Sequence, residues 1–450
     1  MNLAKIISKT LFISFLFCVS CDIPPVDLCS NGILDLENGE IGIDCGGINC
    51  EACRQVDTFK EMVIIDTAVV NHPEAKIGRL SFGHLIRNMT TDAVTKEDLI
   101  LGFLQSWERE QTINNFTVAP RPRINERIIK PWMEADGQAG SPIDEWKINL
   151  DNAPFKLLAV VNRLDLLKVK EGRVTNSGEG RFVYCAVDSN NRPLPFTVIF
   201  EYQLPILDTT QIFPLVSKWH NLGAHETFDS SYVEALIAVT ENFVGKNVMP
   251  TKPNGNALNQ IRTNEVALSG PWELREFNLD RTEGIFKEVT RKMTPDFSLN
   301  GSQLLTKFIQ ENEEAIRTGQ FTIPLVYDGQ PFLGGFCPTN SSSFKWNAPG
   351  VSRELIDKFS IKTCNGCHGG DTGTPFTHIG PPSTLHEPAS VSTFLMGEEM
   401  SNRLRLMHEH FLKIQEFNIA NKPSSRTVAM PLEKQISIEE LIRRRANNVH

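Results

Sequence analysis

Tyrosine is scarce in this chain, with 4 residues against 27 phenylalanines. Its aromatics are therefore suited to filling cores and not to lining a polar binding platform. Basic charge is also short: 45 Lys and Arg face 54 Asp and Glu, a formal charge of −9 with a pI near 5.7. That balance argues against a general nucleic-acid-binding surface, and no nucleic-acid partner is expected. Beyond the N-terminal stretch no apolar run approaches the ~20 residues a membrane helix needs. The sequence also lacks G-x-S-x-G, a Walker loop, a dinucleotide fingerprint and H-E-x-x-H, the spacings that announce common hydrolase, nucleotide-binding and zinc-protease sites. No repeat or low-complexity run interrupts residues 57–343. At 450 residues, 40% hydrophobic and 22% charged, the chain has material for two or three real cores.

What is present begins at the N-terminus. Lys5 and Lys9 precede the apolar stretch "LFISFLFCVS", too short to span a bilayer and placed as a signal peptide would be. It ends in "CVSC", residues 18–21, which resembles the lipobox of bacterial lipoproteins, with Cys18 standing where that family usually has Leu. The resemblance implies lipidation of Cys21 as the new N-terminus, and a location in the cell envelope, on the periplasmic or surface side of the outer membrane. Ordinary secretion is the alternative. Either way disulfides are permitted, and one lipid anchor on a soluble body is the expected arrangement.

Residues 29–53, "CSNGILDLENGEIGIDCGGINCEAC", hold Cys29, Cys45, Cys50 and Cys53 among turn-forming Asn-Gly and Gly-Gly pairs. With too few apolar side chains for a core, crosslinks must supply the stability. Two disulfides in any of three pairings satisfy the count. The stretch resembles a short Cys-rich module recurrent beside lipid anchors in secreted bacterial proteins. Its acidic positions, Asp35, Glu40 and Asp44, offer hard oxygen ligands suited to calcium, although their spacing is not that of an EF-hand.

In the large middle, "FKLLAVVNRLDLL" (155–167), "GRFVYCAV" (180–187) and "PFTVIFEYQL" (195–204) read as strands, the last two joined by a turn. Residues 230–244 and 301–319 carry helical spacing, the first with Ser231 and Glu234 as a capping box. "NQIRTNEVAL" and "PWELREFNL" read as strands again. Neither the cluster His220, His225, Glu226, Asp229 nor the charges Arg163, Asp165, Glu179, Arg181 forms a recognisable acid–base constellation; a polar loop and an ion-pair network are expected. Cys185 and Cys337, lacking local partners, are candidates to pair with each other.

The most specific signal is "TCNGCH", which places Cys364, Cys367 and His368 in a C-x-x-C-H run. In an exported protein this is the signature of covalent haem attachment, the two thiols binding the porphyrin and His368 the iron. Residues 351–450 resemble a small single-haem cytochrome c: a helix before the motif, a Gly/Pro-rich loop after it, an amphipathic helix at 401–417 and a capped last helix. The resemblance implies haem c, with Met430 of "TVAMPL" as the distal ligand; His378, His386, His408 and His410 are rivals. Two other readings stay open. Cys364 and Cys367 can form a structural disulfide, or Cys364, Cys367, His368 and His378 can hold a metal such as zinc.

The expected organisation is a signal peptide (1–20), a Cys-rich tether (21–56), an α+β domain with an antiparallel sheet (57–345), and a small, mostly helical cytochrome c-like domain (346–450). The expected function is an envelope lipoprotein transferring electrons through haem to a redox partner. The alternative is a haem-free surface protein that binds glycan or protein and uses the C-x-x-C-H run structurally.

Overall fold

The computed structural model of the chain describes residues 28–30, 40, 45, 49–51, 54–171, 173–206, 208–338, 344–368 and 377–407. Contacts divide the chain into two compact units, Met1–Val56 and Asp57–His450. In the first, Cys29 is disulfide-bonded to Cys50 with their Cα atoms 5.5 Å apart, and Cys45 is disulfide-bonded as well. Crosslinks thus stand in for a core in this segment. No helix among the described residues is long and apolar enough to cross a membrane.

The strands of the second unit are β1 (Val63–Ile64), β2 (Gln111–Ile113), β3 (Phe116–Val118), β4 (Phe155–Lys170), β5 (Arg173–Val187), β6 (Pro193–Gln203), β7 (Leu258–Glu265) and β8 (Glu273–Leu279). They continue with β9 (Phe286–Val289), β10 (Val326–Tyr327), β11 (Gln330–Pro331), β12 (Phe336–Pro338), β13 (Ile379–Gly380) and β14 (Ser390–Val391). An eight-stranded sheet runs β1-β4-β5-β6-β7-β8-β12, with β9 also pairing β8. Every ladder in it is antiparallel. The β5–β6 hairpin closes where Asp188 Oδ1 accepts from the backbone N–H groups of Asn190 and Arg192, with Asn191 at φ 56°, a conformation asparagine tolerates.

Because side chains alternate along a strand, the sheet has two chemically different faces. One carries Phe182 and Tyr184 of β5, Phe196, Val198, Phe200 and Tyr202 of β6, and Phe277 of β8, all buried. Helices Phe82–Met89, Lys96–Gln105 and Ser230–Val244 bury their apolar sides against this face. Close approach dictates a glycine here: a Cβ on Gly180 would lie 2.2 Å from the Phe243 ring. The last of these helices is capped two residues earlier than its sequence suggests. Asp229, not Ser231, accepts from the N–H groups of Ser231 and Tyr232, because a carboxylate at that position reaches both donors.

The opposite face is polar. Cross-strand registers place Arg181 of β5 beside Glu201 of β6, and Arg262 of β7 beside Glu276 of β8. A further rung runs Cys185, Thr197, Asn264, Leu274, Cys337 across β5, β6, β7, β8 and β12.

The expected fold class needs correction. The protein is α/β with a large antiparallel sheet, and the described residues beyond 345 do not form a small helical cytochrome c-like domain. Helix Arg353–Ser360 does precede the C-x-x-C-H run. Its Leu355, Ile356 and Phe359, however, share a core with Leu305, Phe308, Ile309, Phe321, Phe332 and Trp346 from the body. After the motif come the short β13–β14 ladder and the π-helical turn Leu395–Glu399, with helix resuming through residue 407. Among residues 377–407 the buried apolar side chains are Ile379, Ala389, Leu395 and Met400, too few for a core of their own.

Candidate thiol–imidazole site

The site is built from three short pieces of backbone. Helix Arg353–Ser360 ends and Thr363 caps the turn Cys364–Cys367. The fully buried Thr363 hydroxyl is saturated: it donates to Ser360 O at 2.7 Å and accepts from Trp346 Nε1 at 2.8 Å and Gly366 N at 3.1 Å. Gly366 is required where it stands, since a Cβ would meet Ser360 O at 2.1 Å. The Cys364 N–H donates to Thr294 Oγ1 at 2.9 Å, pinning the turn to the body. One helical turn then sets Cys364 and Cys367 on the same side.

His368 caps the turn's C-terminus, its ring centre 5.2 Å from that of Trp272 and 4.6 Å from that of His378. His378, just before β13, is held by Ser392: Nδ1 lies 3.0 Å from Ser392 Oγ, and the Ser392 N–H donates to its carbonyl at 2.9 Å. The other ring nitrogen, Nε2, lies 3.1 Å from Cys367 Sγ. The ligand atoms of Cys367, His368 and His378 all lie within 4.8 Å of one another.

Burial sets the charge state. It holds the His378 imidazole down to about 2, with repulsion from His368, Arg403 and Arg163 adding to it. Burial, reinforced by Cys364 and Glu399, pushes the Cys367 thiol up to about 12. Without a cation Cys367 and His378 are therefore both neutral at pH 7, with a proton on Cys367 that a divalent ion would displace.

The spacing can be tested against two occupants. A tetrahedral ion with bonds of about 2.3 Å to sulfur and 2.0–2.1 Å to nitrogen separates S and N by about 3.6 Å and imidazole centres by about 5 Å. The 3.1 Å and 4.6 Å found here open to those values by about half an ångström. Two imidazoles on opposite sides of an iron in a porphyrin have ring centres roughly 6 Å apart at the same bond length. The His368–His378 ring spacing of 4.6 Å is too tight for that, so the pair as it stands does not fit a bis-histidine haem.

Charged pairs lie on the polar face of the sheet below. Arg262 reaches Glu201 at 3.4 Å and Glu276 at 3.0 Å; Arg181 reaches Glu179 at 2.6 Å and Glu201 at 3.0 Å. Arg163 pairs with Asp165 at 2.9 Å, and Arg403 with Glu399 at 2.8 Å. These satisfied pairs are a structural network, not an acid–base site. His220 pairs with the buried Glu61 at 2.8 Å, and His225 Nδ1 lies 3.1 Å from Ser231 Oγ. No metal grouping among the described residues includes either histidine.

Of the other anticipated site residues, Cys21, Asp35, Asp44, Cys53, Met430, His408 and His410 lie outside the described residues. Glu40 is buried, with Oε1 3.4 Å from the Cys50 sulfur. The grouping Cys29, Glu40, Cys50 offers no thiolates, because both sulfurs are in one disulfide. His386 is exposed between β13 and β14. Cys185 and Cys337 are buried thiols separated by β6, β7 and β8, and the structure does not bring them together. Trp272, Ser392, Thr294 and Asn365 were not anticipated; only the spacing of Ser392 from His378, across a short hairpin, hints at its role. No protein-family model matches the chain, and neither a curated protein nor a solved structure is significantly similar to it.

Proposed function

We propose that this chain is an exported, lipid-anchored envelope protein whose C-x-x-C-H segment holds a transition-metal ion of the zinc class on Cys367, His368 and His378. The observation that carries the reading is the convergence of three soft donor atoms within 4.8 Å. Thiolate and imidazole are the ligands such ions prefer, and three protein ligands leave a fourth position for water or substrate. Ser392 holds the orientation of the His378 ring as outer partners of metal ligands do. The ion would fasten the Cys364–Cys367 turn to β13. Cys364 packs with Trp272 and Leu274, so it completes the site only by leaving that contact. Export and anchoring rest on the signal-like stretch and Cys21.

The contiguous C-x-x-C-H run favours a second reading, a c-type haem serving electron transfer with a ligand other than His378. One preparation separates the two. The chain is produced in the periplasm beside a cytochrome c maturation system, then examined by elemental analysis, intact mass and visible spectrum. One equivalent of a first-row metal in a colourless protein, lost in His378→Ala, supports the ion. A covalent mass gain of one haem with a Soret band overturns it in favour of the cytochrome reading.

A further inference from the structure

Cys337, on the edge strand β12, is fully buried. With Trp272 and Leu274 it forms a small apolar cluster against which Cys364 packs. Its Sγ donates to Asn365 Oδ1 at 2.7 Å, which lays it against the turn that carries Cys364. Both sulfurs are thiols in the structure. Beside Cys337 lies the completely buried Arg291 guanidinium, whose charge acts on that sulfur. Burial holds the Cys337 thiol well above its ordinary range, and the Arg291 guanidinium beside it offsets part of that penalty.

We infer that Cys337 and Cys364 are a second, redox-active site, forming a reversible disulfide with a low-molecular-weight disulfide as the oxidant. The partly exposed Cys364 sulfur attacks the oxidant, whose S–S bond breaks; one thiol leaves with the Cys364 proton. The Cys337 sulfur then attacks Cys364 in the mixed disulfide, and the second thiol leaves with the Cys337 proton. Two electrons pass from the cysteine pair to the oxidant, which ends as two thiols. Arg291 stabilises the attacking Cys337 sulfur in the second step. The crosslink ties the sheet's edge strand to the C-x-x-C-H turn, and its formation does not depend on an ion at Cys367, His368 and His378.

The test equilibrates the full chain in oxidised and reduced glutathione, traps thiols with a maleimide, and maps peptides by mass spectrometry. A Cys337–Cys364 crosslink is expected to rise with the proportion of oxidised glutathione and to revert on reduction. It should vanish in Cys337→Ala and in Cys364→Ser and persist in Cys367→Ser. A Cys364–Cys367 crosslink instead, or none at Cys337 in protein whose circular dichroism is native, overturns the inference. Metal content of Cys337→Ala is read in parallel: retention of the ion separates this site from the thiol–imidazole site, whichever result the crosslink gives.

Discussion

The two faces of the central sheet are both buried, yet they are stabilised by opposite means. On one, Phe182, Tyr184, Phe200 and Tyr202 meet Phe82 and Phe243 ring against ring, and helices seal them. On the other, Arg181, Glu201, Arg262 and Glu276 answer one another across strands, and the thiol–imidazole segment lies close enough for its charges to act on Arg262. Apolar packing is additive and tolerant of volume-conserving change. A buried ion pair is stable only while complete. The helix-covered side therefore acts as scaffold, and the charged side is where chemistry can be placed.

The largest expected effect is on the scaffold. Phe200→Ala should destabilise the protein by about 3–5 kcal/mol in denaturant unfolding, while the folded fraction keeps its metal stoichiometry. Arg262→Met should cost about 3 kcal/mol, because Glu201 and Glu276 lose their shared cation. Adding Glu276→Gln should recover part of that loss, Glu201 being still paired with Arg181; failure to recover would mean the arginine acts by packing its stem. Gly366→Ala, by forcing the turn away from Ser360 O, should cost about 1–3 kcal/mol and also weaken metal binding, which the two sheet variants do not.

The smallest effect concerns pH. A second charged cluster lies at one end of the aromatic side: Arg121 bonds Glu265 at 2.9 Å and Glu273 at 2.8 Å, and Arg275 contacts Glu273 and Glu288. Burial pushes both Glu265 and Glu288 up to about 7, against the pull of Arg121 and Arg275. For an acid whose folded value is raised, the stabilising contribution is complete below its unfolded value of 4.5 and is lost as pH rises through about 7. Glu288→Gln should flatten the decline in stability between those pH values, measured as melting temperature against pH. His378 slopes the other way: its contribution, present above 6.5, is lost as pH falls toward about 2.

How much of this was legible follows from range. Strands β4 to β8 stood out in the sequence because Val, Ile, Phe and Tyr cluster between turn residues, a local signal. The helices at 230–244 and 303–317 were likewise visible, though Asp229 displaced Ser231 as the cap and Asn312 divides the second. The fate of residues beyond 345 was not legible. The periodicity of 353–360 says only that one side is apolar, not that Phe308, Phe321 and Phe332 are what it meets. At the site, Cys367, His368 and His378 were identifiable as donors by type. Their convergence depends on a hairpin, on Trp272 just before β8 and on Ser392, none of which a local pattern specifies. Cys337 was matched with Cys185 on count alone, whereas three strands separate the two.

The central claim is that Cys367, His368 and His378 share one ion. X-ray absorption at the metal edge of the purified, metal-loaded chain tests it most directly. The account predicts one sulfur at about 2.3 Å and two imidazole nitrogens at about 2.0–2.1 Å, with the sulfur shell lost in Cys367→Ser. An iron edge with a porphyrin nitrogen shell, or a metal shell unchanged by Cys367→Ser and His378→Ala, would contradict it.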